Sequence, residues 1–297
     1  MRSKQKTWAD LSLLTGAVFW GVIWYPLRVL EQNGVSGELA TFIAYSCSLL
    51  LGLAIFWKSL RQMPGHRWLL FGIALGAGWT NLGYALAVIH GEVVRVVLLF
   101  YLAPLWTVVL ARMLLAEQLN VQGYLVMVWA LGGAIVMLWT PEAGLPLPRN
   151  WAEWLALSGG FTFALTNVLT RRAHAASIAF KAVSVAAGVT LLSSLLLLYQ
   201  PPNIANLPEF SATLWLALGA LVVLIFVVTV GMQYGLTHTP ANRAIVICLF
   251  EIVAAALSAY FLVDETLSLR EWVGGAMIVT ATLFSGGLHE NAKTSYG

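Results

Sequence analysis

Glu251 stands near the centre of an apolar run, Ala241–Val263, with only apolar or small residues for several positions on either side. At about 1.5 Å of helix rise per residue, it lies roughly 15 Å from either end of that run. An ionised carboxylate at such a depth in hydrocarbon costs about 2.5–3.5 kcal/mol on insertion scales. It must therefore face a wet cavity, pair with a cation, or stay protonated. As a functional group it is a candidate for proton coupling or substrate binding. As a structural one it would be a protonated acid in an interhelical hydrogen bond.

Two arginines, Arg95 and Arg243, lie two or three residues inside the starts of apolar runs, 148 positions apart. Snorkelling to lipid headgroups is the plain reading of such side chains. Their matched placement also makes them gating candidates, Arg95 at the outer end and Arg243 at the inner. Glu117 and Glu265 close the same two runs at the same spacing, where a cap or an interhelical pair is expected. His90 and His238 are membrane-edge positions, and neither is read as a proton relay.

Aromatic and amide groups deep in apolar runs form the third set: Trp20, Trp24, Trp79, Asn81, Tyr84, Tyr101, Asn167 and Gln233. Trp20 and Trp24, four apart, share one helix face. The amides need partners in hydrocarbon and should point inward. A cavity lined by indoles and amides would suit amphipathic metabolites such as amino acids. Each of these residues taken alone fits helix packing equally well. Ala254, Ala255, Ser258, Ala259, Gly274 and Gly275 are small residues that let helix backbones approach closely.

The elements that must hold these groups follow from hydropathy. A helix needs about 20 apolar residues to cross hydrocarbon. That ruler predicts Asp10–Leu30, Leu39–Trp57, Trp68–Ile89, Val93–Leu115 and Val121–Thr140. After a Pro- and Gly-containing break, Pro141–Asn150, it predicts Trp151–Thr170, Ala182–Leu198, Thr213–Gly235, Ala241–Val263 and Leu269–Ser285. The first run follows a basic start but is too long for a signal-peptide core and has no small-residue cleavage site after it, so it is read as retained. Ten lysines and arginines fall on the side of the N-terminus (Arg2, Lys4, Lys6, Lys58, Arg61, Arg67, Arg171, Arg172, Lys181, Lys293), against Arg28, Arg149 and Arg270 opposite. That bias predicts cytoplasmic termini.

Sliding the chain against itself by 148 positions aligns Gly83–Leu119 with Gly231–Leu267 without a gap. Gly83, His90, Arg95 and Glu117 meet Gly231, His238, Arg243 and Glu265, and a shift near 144 lays Arg28 on Arg172. Rare polar residues in register are harder to obtain by chance than apolar ones. Five spans is an odd number, so the second copy enters the membrane inverted, the architecture of secondary transporters. The expected fold is an all-α integral membrane protein of ten transmembrane helices in two inverted five-helix repeats, residues 1–140 and 151–286.

Composition narrows the alternatives. The chain is 60% hydrophobic and 10% charged with a net charge of +3, which leaves no basic stripe for nucleic acid. Cys47 and Cys248 both fall in apolar runs and read as buried small hydrophobes. No metal site and no cofactor motif is found, and neither His-Glu-x-x-His, Gly-x-Ser-x-Gly nor a phosphate-binding loop occurs. A membrane enzyme acting on a lipid-linked substrate is therefore the weaker alternative, and a passive channel weaker still, since no ring of like charges appears.

At these residues the chain resembles the EamA-type drug/metabolite transporter superfamily. The segment GAVFWGVIWYPLRVL, with Trp20-Gly21, is similar to that family's opening signature. YLAPLWTVVLARMLLAEQL, with Pro104 and Glu117, and LFEIVAAALSAYFLVDETL, with Glu265, resemble its doubled later motif. The resemblance implies ten helices around a central cavity and export or exchange of small metabolites without ATP hydrolysis. One departure is Glu251-Ile252, where the family often has Glu-Pro; without the proline the ninth helix is expected to be less kinked. The overall expectation is a secondary transporter of the inner (plasma) membrane, monomeric, with a small-molecule substrate and the lipid bilayer as its surroundings.

Overall fold

The computed structural model describes residues 2–61, 65, 67–140, 147–201, 211–264 and 266–285. Pro141, Glu265 and Lys293, read above as part of a break, a helix-end partner and a cytoplasmic cation, lie outside the described residues. The described chain is helical throughout, without a strand. In order, the helices are α1 (Arg2–Val22), α2 (Trp24–Gln32), α3 (Gly37–Ile55), α4 (Trp57–Leu60), α5 (Arg67–His90), α6 (Val93–Phe100) and α7 (Ala103–Leu115). There follow α8 (Val121–Leu138), α9 (Trp151–Arg172), α10 (Ile178–Tyr199), α11 (Ala212–His238), α12 (Ala241–Cys248), α13 (Phe250–Leu262) and α14 (Leu269–Phe284).

Local chemistry sets six of the helix starts. Ser36, Asn120, Asn150, Ser177, Ser211 and Ser268 each accept a first-turn backbone N–H, at α3, α8, α9, α10, α11 and α14. Each thereby satisfies a donor that hydrocarbon cannot. Ser268 and Glu271 complete a reciprocal capping box.

Three apolar runs are interrupted. Pro26 has no N–H for the Val22 carbonyl, and α1 gives way to α2 at Ile23, between Trp20 and Trp24. Pro104 does the same to the Phe100 carbonyl, separating α6 from α7 at Tyr101 and Leu102. The run expected to be straighter for lacking a proline is interrupted all the same, at Leu249. There the coil tightens, Ile252 N–H donating to the Leu249 carbonyl three residues back at 3.1 Å. The missing proline does not remove the break, which is a single residue here as it is at Ile23. α6 and α12 have eight residues each, and α7 and α13 have thirteen each.

Eight segments are long and apolar enough to cross a membrane: Lys4–Gln32, Gly37–Ile55, Arg67–His90, Val93–Leu115, Val121–Leu138, Ile178–Tyr199, Leu214–His238 and Ala241–Leu262. The sixth and tenth expected spans form helices α9 and α14 but are not among the eight. α14 has only 16 residues, and α9, with 22, carries Glu153, Arg171 and Arg172. The outer surface suits lipid, with Trp8, Trp57, Trp68, Trp151, Trp154, Trp215 and Trp272 all exposed.

The main packing partners cross between the first and second halves of the chain. α5 lies along α9 and α10, and α11 lies along α1 and α3. α7 rests on α9 and α13 on α1, while α3 pairs with α10 and α8 with α14. The halves interdigitate, and their contacts come in matching twos. α8 and α14 meet backbone to backbone: a Cβ on Gly133 would stand 2.7 Å from the Gly274 carbonyl oxygen, and one on Gly274 2.5 Å from that of Gly133.

Candidate functional site

Glu251 sits in the first turn of α13, just past the interruption at Leu249. As a whole residue it remains partly exposed. Tyr101, at the equivalent interruption between α6 and α7, stands close enough to that carboxyl for the two groups to interact, with Tyr84 next to them. Phe100 meets Tyr84 and Tyr101 edge to face and Phe163 at a tilt. Phe100 stands 4.9 Å from Tyr84, 5.6 Å from Tyr101 and 5.7 Å from Phe163. On the opposite flank α1 crosses α13 at Gly21, where an added Cβ would stand 2.5 Å from the Glu251 carbonyl oxygen and 2.6 Å from Ala254 Cβ.

The other aromatic and amide candidates distribute around this centre. Trp24 Nε1 donates to Ser258 Oγ at 2.8 Å, tying α2 to α13 two turns beyond Glu251. Trp20 packs edge-on against Phe19 between the two largest apolar clusters. Trp79 Nε1 donates to Ser158 Oγ at 3.0 Å, and Asn81 Nδ2 donates to the Ala77 carbonyl of its own helix. Gln233 Oε1 accepts from Thr170 at 3.0 Å in a separate buried layer. Asn167 is buried with Nδ2 unpartnered. The fold thus brings Tyr84, Tyr101 and Glu251 together, sets Trp20 and Trp24 on the neighbouring seam, and commits Trp79, Asn81 and Gln233 to partners elsewhere.

Arg95 does not snorkel. It is buried, with Nε 2.7 Å from Glu153 Oε1 and Nη2 2.9 Å from Oε2, and it donates further to the Leu147 carbonyl. Glu153 also accepts from the Arg149 backbone N–H at 2.8 Å and from Asn150 Nδ2 at 3.3 Å. Arg243 takes a parallel partner, Asp10, with Nη2 2.6 Å from Oδ2. That pair is looser: Asp10 Oδ1 and Arg243 Nε are left without partners. It borders a cavity of about 370 Å³ whose walls include Lys6, Asp10, Arg171, His238, Thr239 and Arg243.

Behind that cavity runs a polar network. Arg171 donates to the Thr237 carbonyl at 2.6 Å and pairs with Glu117 at 3.4 Å. Glu117 Oε2 accepts the Ala241 N–H, the first of α12, at 2.8 Å, which is the cap its position implied. Lys181 is wholly buried and donates to Thr237 Oγ1 at 2.8 Å. Glu153 and Arg171 are eighteen residues apart on α9, about 27 Å at its rise, so the Arg95–Glu153 and Arg171–Glu117 pairs sit at opposite ends of that helix. His90 stacks on Trp151 at one end and His238 on Tyr234 at the other. No cluster of three His, Cys, Asp or Glu able to hold a metal occurs among the described residues.

Sequence reading found both arginines and missed both carboxylate partners, along with Lys181. A signal was present: Trp8-Ala9-Asp10 and Trp151-Ala152-Glu153 recur 143 positions apart. The register that lays Arg28 on Arg172 is one residue too long and hides this match; at 143, Arg28 meets Arg171.

A family model described as the EamA-like transporter family matches residues 7–139 and, a second time, residues 150–287. A relative from Archaeoglobus fulgidus, described as an uncharacterized transporter, is 30% identical over 279 residues, which span 94% of this chain and 96% of that one. A crystal structure of another protein matches with a TM-score of 0.76 at 19% identity, over 94% of this chain and 98% of that one. That likeness concerns the fold alone.

Proposed function

We infer a carrier from two observations, the first being that this chain belongs to the EamA-like transporter family, which makes it a multi-pass membrane transporter. The second carries the mechanism: two matched pairs, Arg95 with Glu153 at the start of α9, and Arg243 with Asp10 beside the cavity that Arg171, at the end of α9, also lines. On this reading the protein is a secondary transporter of the inner membrane. It exports or exchanges small metabolites, amino acids or related amphipathic compounds, by alternating access. Family and relative alike are described as transporters, which gives no support to a membrane enzyme.

Ten helices in two inverted halves, residues 1–140 and 151–286, surround the substrate path, with α9 and α14 as its sixth and tenth members. Support for the repeat comes from the double family match, the equal lengths of α6 and α12 and of α7 and α13, and the paired contacts. The excess of lysine and arginine puts both termini in the cytoplasm, so the Arg243–Asp10 pair closes the cytoplasmic end and Arg95–Glu153 the outer one. The outer pair is bidentate and enclosed while the inner one is a single bond beside a cavity, which supports a state sealed outside and loosened inside. Substrate meets Tyr84, Tyr101, Trp20 and Trp24, with Trp79, Asn81, Asn167 and Gln233 as further lining groups. Glu251 couples a proton to passage. The carrier acts as a monomer.

Counterflow tests the reading. Proteoliposomes loaded with a mixture of amino acids should take up a labelled amino acid faster than empty ones, because a carrier returns loaded more readily than empty. Flux indifferent to trans substrate would point to a pore. Glu251→Gln is expected to abolish the flux; full activity with an unchanged pH dependence would remove Glu251 from the mechanism.

A further inference from the structure

The cavity beside Arg243 carries more positive charge than its own carboxylates answer. Lys6, Arg171 and Arg243 line it and Lys181 is buried behind it, against Asp10 and Glu117. Two cations are left over among the described residues, at a place where low-dielectric walls make uncompensated charge costly. Donors are unspent as well. Arg243 gives Asp10 a single hydrogen bond and its Nε has no partner. Thr239, only 2% exposed, lines the same cavity with Oγ1 unpartnered. The eight-residue α12 begins beside the same wall, after Pro240, with its first N–H already held by Glu117.

We propose that this cavity binds a small anionic group, a carboxylate or a phosphate. Arg243 and Arg171 hold it through charge-assisted hydrogen bonds, Thr239 supplies a hydroxyl donor, and Lys6 draws it in from the mouth. Asp10 occupies Arg243 while the anion is away, so ligand and Asp10 compete for one guanidinium. Binding itself needs no transport. The link to transport rests on the carrier reading: an anionic substrate that displaces Asp10 would release the inner closure as it arrives.

Purified protein in a neutral detergent, titrated with inorganic phosphate or acetate against sodium chloride at matched ionic strength, tests the site through its thermal unfolding midpoint. A saturable rise is expected. Arg243→Gln should weaken binding about tenfold or more, the loss expected of a charge-assisted hydrogen bond. Asp10→Asn should tighten it, by removing the internal competitor. Lys6→Gln, on an exposed residue whose loss does not threaten folding, should weaken it about threefold. Lys58→Gln removes an exposed cation elsewhere and should change nothing. The absence of saturation, or a Lys58→Gln loss as large as that of Arg243→Gln, would reduce the effect to charge screening and overturn the site.

Nanodiscs identify the source. The phosphate response should persist in phosphatidylcholine; if added phosphatidylglycerol abolishes it the occupant is a lipid headgroup, and if it survives the occupant is a free anion. Saturable anion binding without counterflow would uphold the site and sink the carrier. Counterflow without an anion response would do the reverse.

Discussion

A tyrosine beside a carboxyl at the junction of two interrupted helices is an arrangement whose loss is graded by what remains. Tyr101→Phe keeps the ring packing against Phe100 and removes only the oxygen, so transport should fall by about tenfold or less, the worth of one hydrogen bond, whereas Glu251→Gln should end it. Equal losses in the two variants, read by counterflow, would mean that Glu251 works through Tyr101 and not on its own. At the outer end, Glu153→Ala strands the buried Arg95 cation and is expected to cost about 3–5 kcal/mol. Thermal unfolding in detergent should register a fall of several degrees, and replacing both partners together by Met and Leu should recover most of it. These residues were unequally legible. Glu251 and Arg95 stand out because a charge inside an apolar run is rare; Asp10 and Glu153 look like ordinary acids in a first helical turn, and only their partners across the fold give them meaning. Lys181 was hidden for a similar reason, since its position at the edge of a run reads as a snorkelling cation and the fold seals it under Thr237.

Helices were legible where hydropathy alone decides them, and less so where packing does. The eight strongest spans agree with the expected runs to within a few residues, apart from the first, whose helix begins earlier. α9 was expected as Trp151–Thr170 but is more polar than the eight, and its Glu153, Arg171 and Arg172 are matched by Arg95, Glu117 and Thr237 and by Trp68, whose ring lies 5.5 Å from the Arg172 guanidinium. The interruption at Leu249 left no trace in composition, whereas Pro26 and Pro104 marked theirs openly. The crossing of α8 on α14 is a test at this scale. Gly274→Val must push against the Gly133 carbonyl and the Met137 side chain, an overpacking worth about 1–3 kcal/mol. The same change at Gly37, where an added Cβ meets nothing within 4 Å, should be far milder. Thermal midpoints of the two variants that moved together would contradict the close approach.

For the molecule as a whole, inversion is the property on which alternating access depends. Cysteine at Leu147 and cysteine at Lys4, each alone in a background without Cys47 and Cys248, should differ in access to a membrane-impermeant thiol reagent. The first should label on intact cells and the second only after lysis. Labelling of both from the same side would put the two five-helix halves in parallel and withdraw the carrier. The expectation of a repeat came from polar residues 148 positions apart, and the family model matches the chain twice. The interleaving of the halves was not, because a self-comparison of one chain reports what is duplicated and says nothing of which copy touches which.

α9 runs from one end to the other: its first turn holds Glu153, and its last holds Arg171 against Glu117, whose carboxylate caps α12. On the carrier reading, α9 turning as a stiff rod near its middle, where Gly159 and Gly160 sit against Phe100, would move its two tips in opposite directions. Slackening at one tip then tightens the other, so a single body would prevent both doors from standing ajar together and leave the membrane without a leak.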